Sequence, residues 1–456
     1  MAKKLNEWLD DFVNNGFTAS NILIWPEEGG GGQVVIEVDD VSDVSYDDAT
    51  GIATWTPGDY SELEQYNPTI TYTISANNQT LETATNSLDI SSILNEGDNE
   101  IVVKTKVVIQ LSEKSYNMTF SDDVDAIATH IDTSTGLKKL TVKLPKALSS
   151  MGVIGNGTDI YIVGGVDENN AVSGTIYKMN CLNNTITEFA TLPAGIANPA
   201  IGIYDGYLHV VGGLISGSNF GTITYTMHHG TATRVRYKIN LSTAEVTSYD
   251  IPRLGSGLNW MPYMQMNGVG QYGTKIYMLG GTDFQSTVRP NVLYFNLLTE
   301  TYTDLGQIMP YTGAYNLDNT AVAQDVAASL NSLVFAGGEY NSSSSSVVNE
   351  IFTFSLSSST TTKKTAHLPD TAMYASAAVY RNKAYIAGGV NASNNAVQSL
   401  CSYNLTNDTT TVVEANAFEN GIFRHGMTTA NNALYIFGGK NGLNQTLDTI
   451  YRYRAE

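Results

Sequence analysis

The chain has 456 residues, 42% hydrophobic and 15% charged, with 24 Lys+Arg against 44 Asp+Glu for a net charge of −20. That is too long for one ordinary core and too acidic for a nucleic-acid binder, whose affinity comes from cations that neutralise phosphates. The charge is uneven: residues 33–125 carry 18 Asp+Glu and 3 Lys+Arg, whereas residues 126–456 carry 21 and 19, so only the first region is strongly acidic.

Leu5, Trp8, Leu9, Phe12 and Val13 fall on one helical face, and Gly16 is a good C-terminal stop. A helix of about a dozen residues is marginal alone in water, so this face is expected to dock, either on a partner or on the chain's own next domain. Gly29–Gly32 then reads as a flexible tether, which makes 1–32 a helix-and-tether anchor. No basic-then-apolar leader and no span-length apolar run is present, so a cytoplasmically made protein without a membrane span is expected.

Residues 33–120 read as a β-sandwich. ATWTPGD (53–59), TITYTIS (69–75), LDISSILNEGDNEIVVKTKVV (88–108) and YNMTF (116–120) alternate apolar and polar residues between turn signals. The Trp-Pro strand and the L-x-x-G-x-N-x-I-x-V run resemble fibronectin type III and related immunoglobulin-like modules. Asp122, Asp123 and Asp125 read as a solvated acidic linker.

From 125 to 456 the chain repeats. IYIVGG (160–165), LHVVGG (208–213), IYMLGG (276–281), LVFAGG (333–338), AYIAGG (384–389) and LYIFGG (434–439) are apolar strands running into a glycine doublet. The doublets lie 48, 68, 57, 51 and 50 residues apart, the period of a propeller or array. Each unit offers four strand-length stretches, and Pro193, Pro252, Pro310 and Pro369 mark where the outer strand stops. Strands apolar on both faces need burial on both, as between neighbouring blades. The doublets are expected to serve close backbone approach and unusual dihedrals.

These features resemble the kelch repeat: an apolar strand ending in Gly-Gly, then a spaced tyrosine (Tyr177, Tyr237 or Tyr403) and tryptophan. The tryptophan is replaced by Phe189, Tyr249 and Leu305. The last unit stops after IYRYR (450–454), and an orphan LKKLTVKLP (137–145) ends in the Leu-Pro of the other outer strands. The expected fold is therefore all-β: a six-bladed kelch-like β-propeller closed by an N-terminal strand, preceded by a β-sandwich and a short N-terminal helix.

Catalytic signals are sparse. Cys181 and Cys401 read as buried free thiols, and His228-His229 as the tip of an exposed hairpin, so no metal and no cofactor is expected. Topology favours a binding face. Loops after the second and fourth strands emerge together, and the fourth-to-first connections carry Asn198, Asn259, Trp260, Tyr263, Tyr311, Tyr315, Asn316, Tyr374, Phe423, Arg424 and His425. The second-to-third loops add Asp167, Glu168, Asp283, Phe284, Glu339, Tyr340 and Asn391. Aromatic rings with amides and a cation suit a sugar.

With its anchor helix, acidic spacer and polar Asn/Thr/Tyr-rich propeller, the chain resembles bacteriophage tail- or head-fibre appendages. That resemblance implies a non-enzymatic virion protein. It would be held by other virion proteins through the helix, form homo-oligomers in some cases, and bind a host surface glycan or protein. The alternative is a carbohydrate-processing enzyme. Bacterial sialate mutarotases, six-bladed kelch-like propellers, resemble the chain and run proton transfer from a central arginine and an acid. Arg424 and His425, with Glu339 or Glu350, would take those parts. An intracellular kelch adaptor is a further alternative.

Overall fold

β-Branched and aromatic residues bounded by turn residues form strands throughout the computed structural model. It describes residues 22–26, 33–37, 41–58, 69–94, 97–111, 114–119, 124–130, 135–218, 229–232, 235–250, 269–279, 291–307, 317–318, 321–324, 332–340 and 346–455. The anchor helix expected around Leu5–Val13 lies outside the described residues. The chain divides into two units, Met1–Asp132 and Thr133–Glu456.

The first unit contains two larger antiparallel sheets. One joins Ser42–Asp47, Ile52–Thr56 and Ser87–Asp89; the other joins Val124–His130, Gly97–Leu111, Thr69–Ala76 and Gln79–Thr83, with Lys114–Thr119 added on Gly97–Leu111. Alternation along each strand sends one face into a shared core. Ala53 and Trp55 come from the first sheet, Tyr72, Ile74, Ile101 and Val103 from the second. Trp55 meets Tyr72 edge-on, with ring centroids 5.3 Å apart. The hairpin between Thr69–Ala76 and Gln79–Thr83 turns on Asn77 and Asn78, both at positive φ. This suits asparagine in a two-residue turn. Val124–His130 pairs with Gly97–Val103, so this strand belongs to the first unit and the second begins at Thr133, not at 125.

In the second unit, each stretch of about 50 residues makes a four-stranded antiparallel group. Gly152–Asn156, Asp159–Val163, Thr175–Asn180 and Thr185–Thr191 form the first in spatial order. Among the described residues the pattern recurs, and the fourth and fifth groups join where Ala321–Gln324 pairs in parallel with Ser376–Tyr380. The last group takes its outer strand from the other end of the repeats: Gly136–Lys139 pairs antiparallel with Ile450–Arg454. Leu140 and Leu144 continue the seam by donating backbone hydrogen bonds to Ile450 and Asp448.

The innermost strands start at Gly152, Ala200, Val269, Ala321, Ser376 and Gly426. They pack on one another in that order, and the last packs on the first. Between them the core is apolar and aromatic, as in the cluster of Phe335, Phe352 and Phe354.

The glycine doublets are the joints of this arrangement. In the five doublets with described dihedrals, φ is 55–68° at the first glycine and 93–107° at the second. The second glycine's amide reaches across to the next group: Gly165 donates to the Ile196 carbonyl at 2.8 Å, Gly389 to Ile422 at 2.7 Å, and Gly439 to Leu148 at 2.8 Å. L-residues pay for such dihedrals and glycine does not.

The missing tryptophan has a local explanation. Outer strands of the first, third and fifth groups are bulged against their third strands, and Phe189, Leu305 and Val413 sit in the bulges. A bulge re-aims one side chain, and all three pack on apolar cores. Tyr249 belongs to a regular pairing instead, is 39% exposed, and stacks on Arg236, whose guanidinium carbon lies 4.3 Å from its ring centroid.

Candidate functional site at the axis of the ring

The inner strands meet at the axis through contacts that leave almost no room. A Cβ on Gly155 would lie 2.1 Å from the Thr429 carbonyl oxygen, so only glycine lets the first and last groups touch. The Gly155 amide donates to Thr428 Oγ1 at 2.9 Å. Between the second and third groups, the Gln271 side chain acts as a strand edge. Its Oε1 accepts from the Ile203 amide at 2.8 Å, and its Nε2 donates to the Ile203 carbonyl at 2.7 Å. Replacing Gln271 with leucine is expected to lower stability by about 1–3 kcal/mol, the cost of leaving both Ile203 backbone groups unmet. Thermal unfolding checks this, and an unchanged Tm would show that the side chain is dispensable.

Beside these stitches lies a cavity of about 290 Å³, lined by residues that include Asn156, Ile203, Gln271, Gly273 and Thr429. They come from the halves of the inner strands that run toward the first-to-second hairpins. Among the described residues no ionisable side chain lines it, and those residues offer hydrogen-bonding groups.

Charge collects at the opposite, loop end. Two residues before each described inner strand of four consecutive groups stands a non-glycine residue in the left-handed region: Ser150 (φ 56°), Asn198 (50°), Tyr374 (58°) and Arg424 (55°). Their backbones are chained across the groups. Asn198 donates to the Ser150 carbonyl at 2.8 Å, Ser150 to Arg424 at 2.8 Å, and Arg424 to Tyr374 at 2.9 Å. The collar compensates the strain, and strained non-glycine residues held in this way concentrate at functional sites. The Arg424 guanidinium carbon lies 4.2 Å from the Tyr374 ring centroid, and Arg424 and Tyr374 are both buried. The result is a desolvated cation on an aromatic face in the collar.

Five of the residues proposed from sequence at the mouth are described: Asn198 and the Tyr374–Arg424 stack in the collar, with Phe423 and His425 off it. Phe423 is fully buried in a cluster with Met373, Tyr374 and Val390, so it is core and not mouth. His425 is 4% exposed and lies 6.4 Å, centroid to centroid, from Phe418. Burial pushes its pKa down to about 3, so it stays a neutral core imidazole. Asn259, Trp260, Tyr263, Tyr311, Tyr315 and Asn316 lie outside the described residues.

Asp167 and Asn391 turn out to be loop-building residues. Asp167 Oδ1 accepts from the amides of Asn169 and Ala171, and Asn391 Oδ1 from those of Ser393 and Asn395. Asn441 repeats the pattern with Leu443 and Gln445. Asp167 also pairs with Lys146 at 2.6 Å. The signal was in the sequence as GG-x-[DN]-x-x-N, since Asn170, Asn394 and Asn444 all adopt positive φ. Glu350 is engaged too, paired with Lys363 across the third and fourth strands. Glu339 directly follows its doublet, and its backbone pairs with Asp318 ahead of the inner strand.

These features define an all-strand, propeller-like domain. Residues 266–456 match the family model described as the KLHDC2/KLHL20/DRC7 Kelch-repeats domain. The structure is similar to that of YjhT, with a TM-score of 0.51 and 15% identity over 68% of this chain and 96% of that one. No curated protein sequence matches the chain.

The non-enzymatic phage-appendage reading is corrected by these findings. The matches, to a kelch-repeat model over residues 266–456 and to YjhT over 96% of that chain, favour the carbohydrate-processing alternative. Neither match carries a virion component. Of the aromatic residues expected at the mouth, the described Phe423 lies in the core and Tyr374 stacks on a buried cation.

Proposed function

We propose that the chain is a carbohydrate-processing enzyme of the sialate mutarotase type, acting on a sugar acid at the loop end of the axis. The observation that carries this reading is Arg424, a buried guanidinium held at φ 55° in the collar and stacked on Tyr374. A water-excluded cation fixes an anionic substrate far more strongly than an exposed one does. Interconverting anomers needs a base to take the anomeric hydroxyl proton and an acid to protonate the ring oxygen as the C–O bond opens; both protons return on closure. Glu339 is the acid/base candidate, since Glu350 is held by Lys363.

We further infer that the second unit is a six-bladed ring, which the cyclic packing of the inner strands supports. The first unit is read as an immunoglobulin-like or fibronectin type III sandwich, supported by its two sheets around Trp55. The test of function is magnetisation exchange between the anomers of N-acetylneuraminate, followed by NMR. Exchange well above the spontaneous rate is expected with the full-length protein, and a spontaneous rate at every pH tried would overturn the assignment.

A further inference from the structure

Directly after the five doublets whose following residue is described, the chain makes a short bridge to the segment ahead of the inner strand and a second pairing to the following loop. The residue at the centre is Val166 in the first group, bridged to Val172, and Val390 in the fifth, bridged to Ala396. Leu214 stands there in the second group. All three are 2% exposed or less. In the last group the same position is Lys440, bridged to Phe423 on one side and Thr446 on the other.

In the last group a lysine thus stands where the first, second and fifth groups place an aliphatic side chain and the fourth places Glu339, and it is 3% exposed. Among the described residues its ammonium has no ion pair and no side-chain hydrogen bond. Thr446, its cross-strand neighbour, has a buried hydroxyl with no hydrogen-bond partner. Directly bridged residues share a face, so the ammonium stem and the hydroxyl start from the same side. A lysine without an ion pair and a buried hydroxyl without a hydrogen-bond partner replace the apolar pairs Val166–Val172 and Val390–Ala396. Burying donors without acceptors costs free energy, and burying a charge costs more. Arg424 lies one residue from the bridge and adds a second positive charge. Burial first, and then that charge, push the Lys440 pKa below its ordinary value. An anion would satisfy all of these groups at once.

We propose that Lys440 and Thr446 form an anion-binding subsite that takes the carboxylate of an acidic sugar, beside the Arg424–Tyr374 stack. The assignment of the anion to a sugar acid rests on the proposed function; the anion site itself does not. Lys440 is the specificity element, distinguishing acidic sugars from their neutral counterparts.

The experiment compares the full-length protein with the double variant Lys440→Val/Thr446→Ala, which installs the Val–Ala pair of the fifth group. Without added anion the variant is expected to melt at the same temperature or a few degrees higher, because an unpaired buried charge has gone. Sodium acetate is titrated against sodium chloride at matched ionic strength, and acetate is expected to raise the Tm of the natural protein and not that of the variant. N-acetylneuraminate should bind the natural protein, and the variant about tenfold or more weakly; N-acetylmannosamine should bind neither well.

A variant with the full acetate response, or one that melts well below the natural protein, would overturn the subsite and make the pair a structural one. A response to acetate lost in the variant, with no binding of N-acetylneuraminate to either protein, would keep the anion site and remove the sugar-acid reading.

Discussion

Arg424→Gly is expected to abolish anomer exchange on a sugar acid while leaving the protein folded. Three terms bear on stability. Releasing a non-glycine residue from φ 55° relieves about 1–2 kcal/mol of backbone strain. Glycine's extra freedom in the unfolded chain costs roughly 0.5–1 kcal/mol. Losing the stack on Tyr374, at 4.2 Å, removes about 0.5–2 kcal/mol. They nearly cancel, so Tm should stay within a few degrees. Activity has no such compensation, because the variant loses the buried charge that would hold the substrate anion. A drop of about 10²–10³-fold is the scale for one preorganised electrostatic group. Arg424→Lys should fall between, since it keeps the charge but not the planar stack. NMR exchange rates beside thermal unfolding decide the matter. An Arg424→Gly protein that is folded and fully active would remove Arg424 from the site. One that fails to fold would make the residue structural.

Gly388→Ala should instead damage the fold. The φ of 56° is unfavourable for alanine, and the new Cβ would lie 2.1 Å from the Ile422 carbonyl oxygen. Neither neighbour is free to move. The Ile422 carbonyl accepts the Gly389 amide at 2.7 Å, the bond that ties the fifth group to the sixth. Strain and overpacking at such a joint cost on the order of 3–5 kcal/mol, or about 10 °C in Tm. Circular dichroism melts of the two proteins give the answer, and a Tm within about 2 °C of the natural one would mean that the joint is softer than its geometry. Anomer exchange measured well below the melt should be little changed, which separates this defect from that of Arg424→Gly.

The repeated half of the fold was legible because each group reuses one strand pattern. Six doublets in register announce that one supersecondary unit recurs, and an unpaired IYRYR at one end with an orphan LKKLTVKLP at the other implies the observed pairing of Gly136–Lys139 with Ile450–Arg454. The site was less legible. Phe423 and His425 flank Arg424 in sequence, yet Arg424 itself is left-handed and turns consecutive side chains in different directions. Only packing shows which of them faces the core. Lys440 carries a readable signal, as the one cation after a doublet, where Val166, Leu214, Thr282, Glu339 and Val390 stand in the other units. Its importance, however, depends on burial and on Thr446, which no spacing reveals.

The sequence by itself determined the all-strand class, the repeat, the joints at the glycine doublets and the closing strand. These follow from local periodicity and from dihedrals that only glycine adopts freely. The tertiary structure alone decided the backbone collar of Ser150, Asn198, Tyr374 and Arg424 and the neutral burial of His425. Those depend on which groups meet across different strand groups and on how much water they lose. Both are properties of the closed arrangement and not of any one segment.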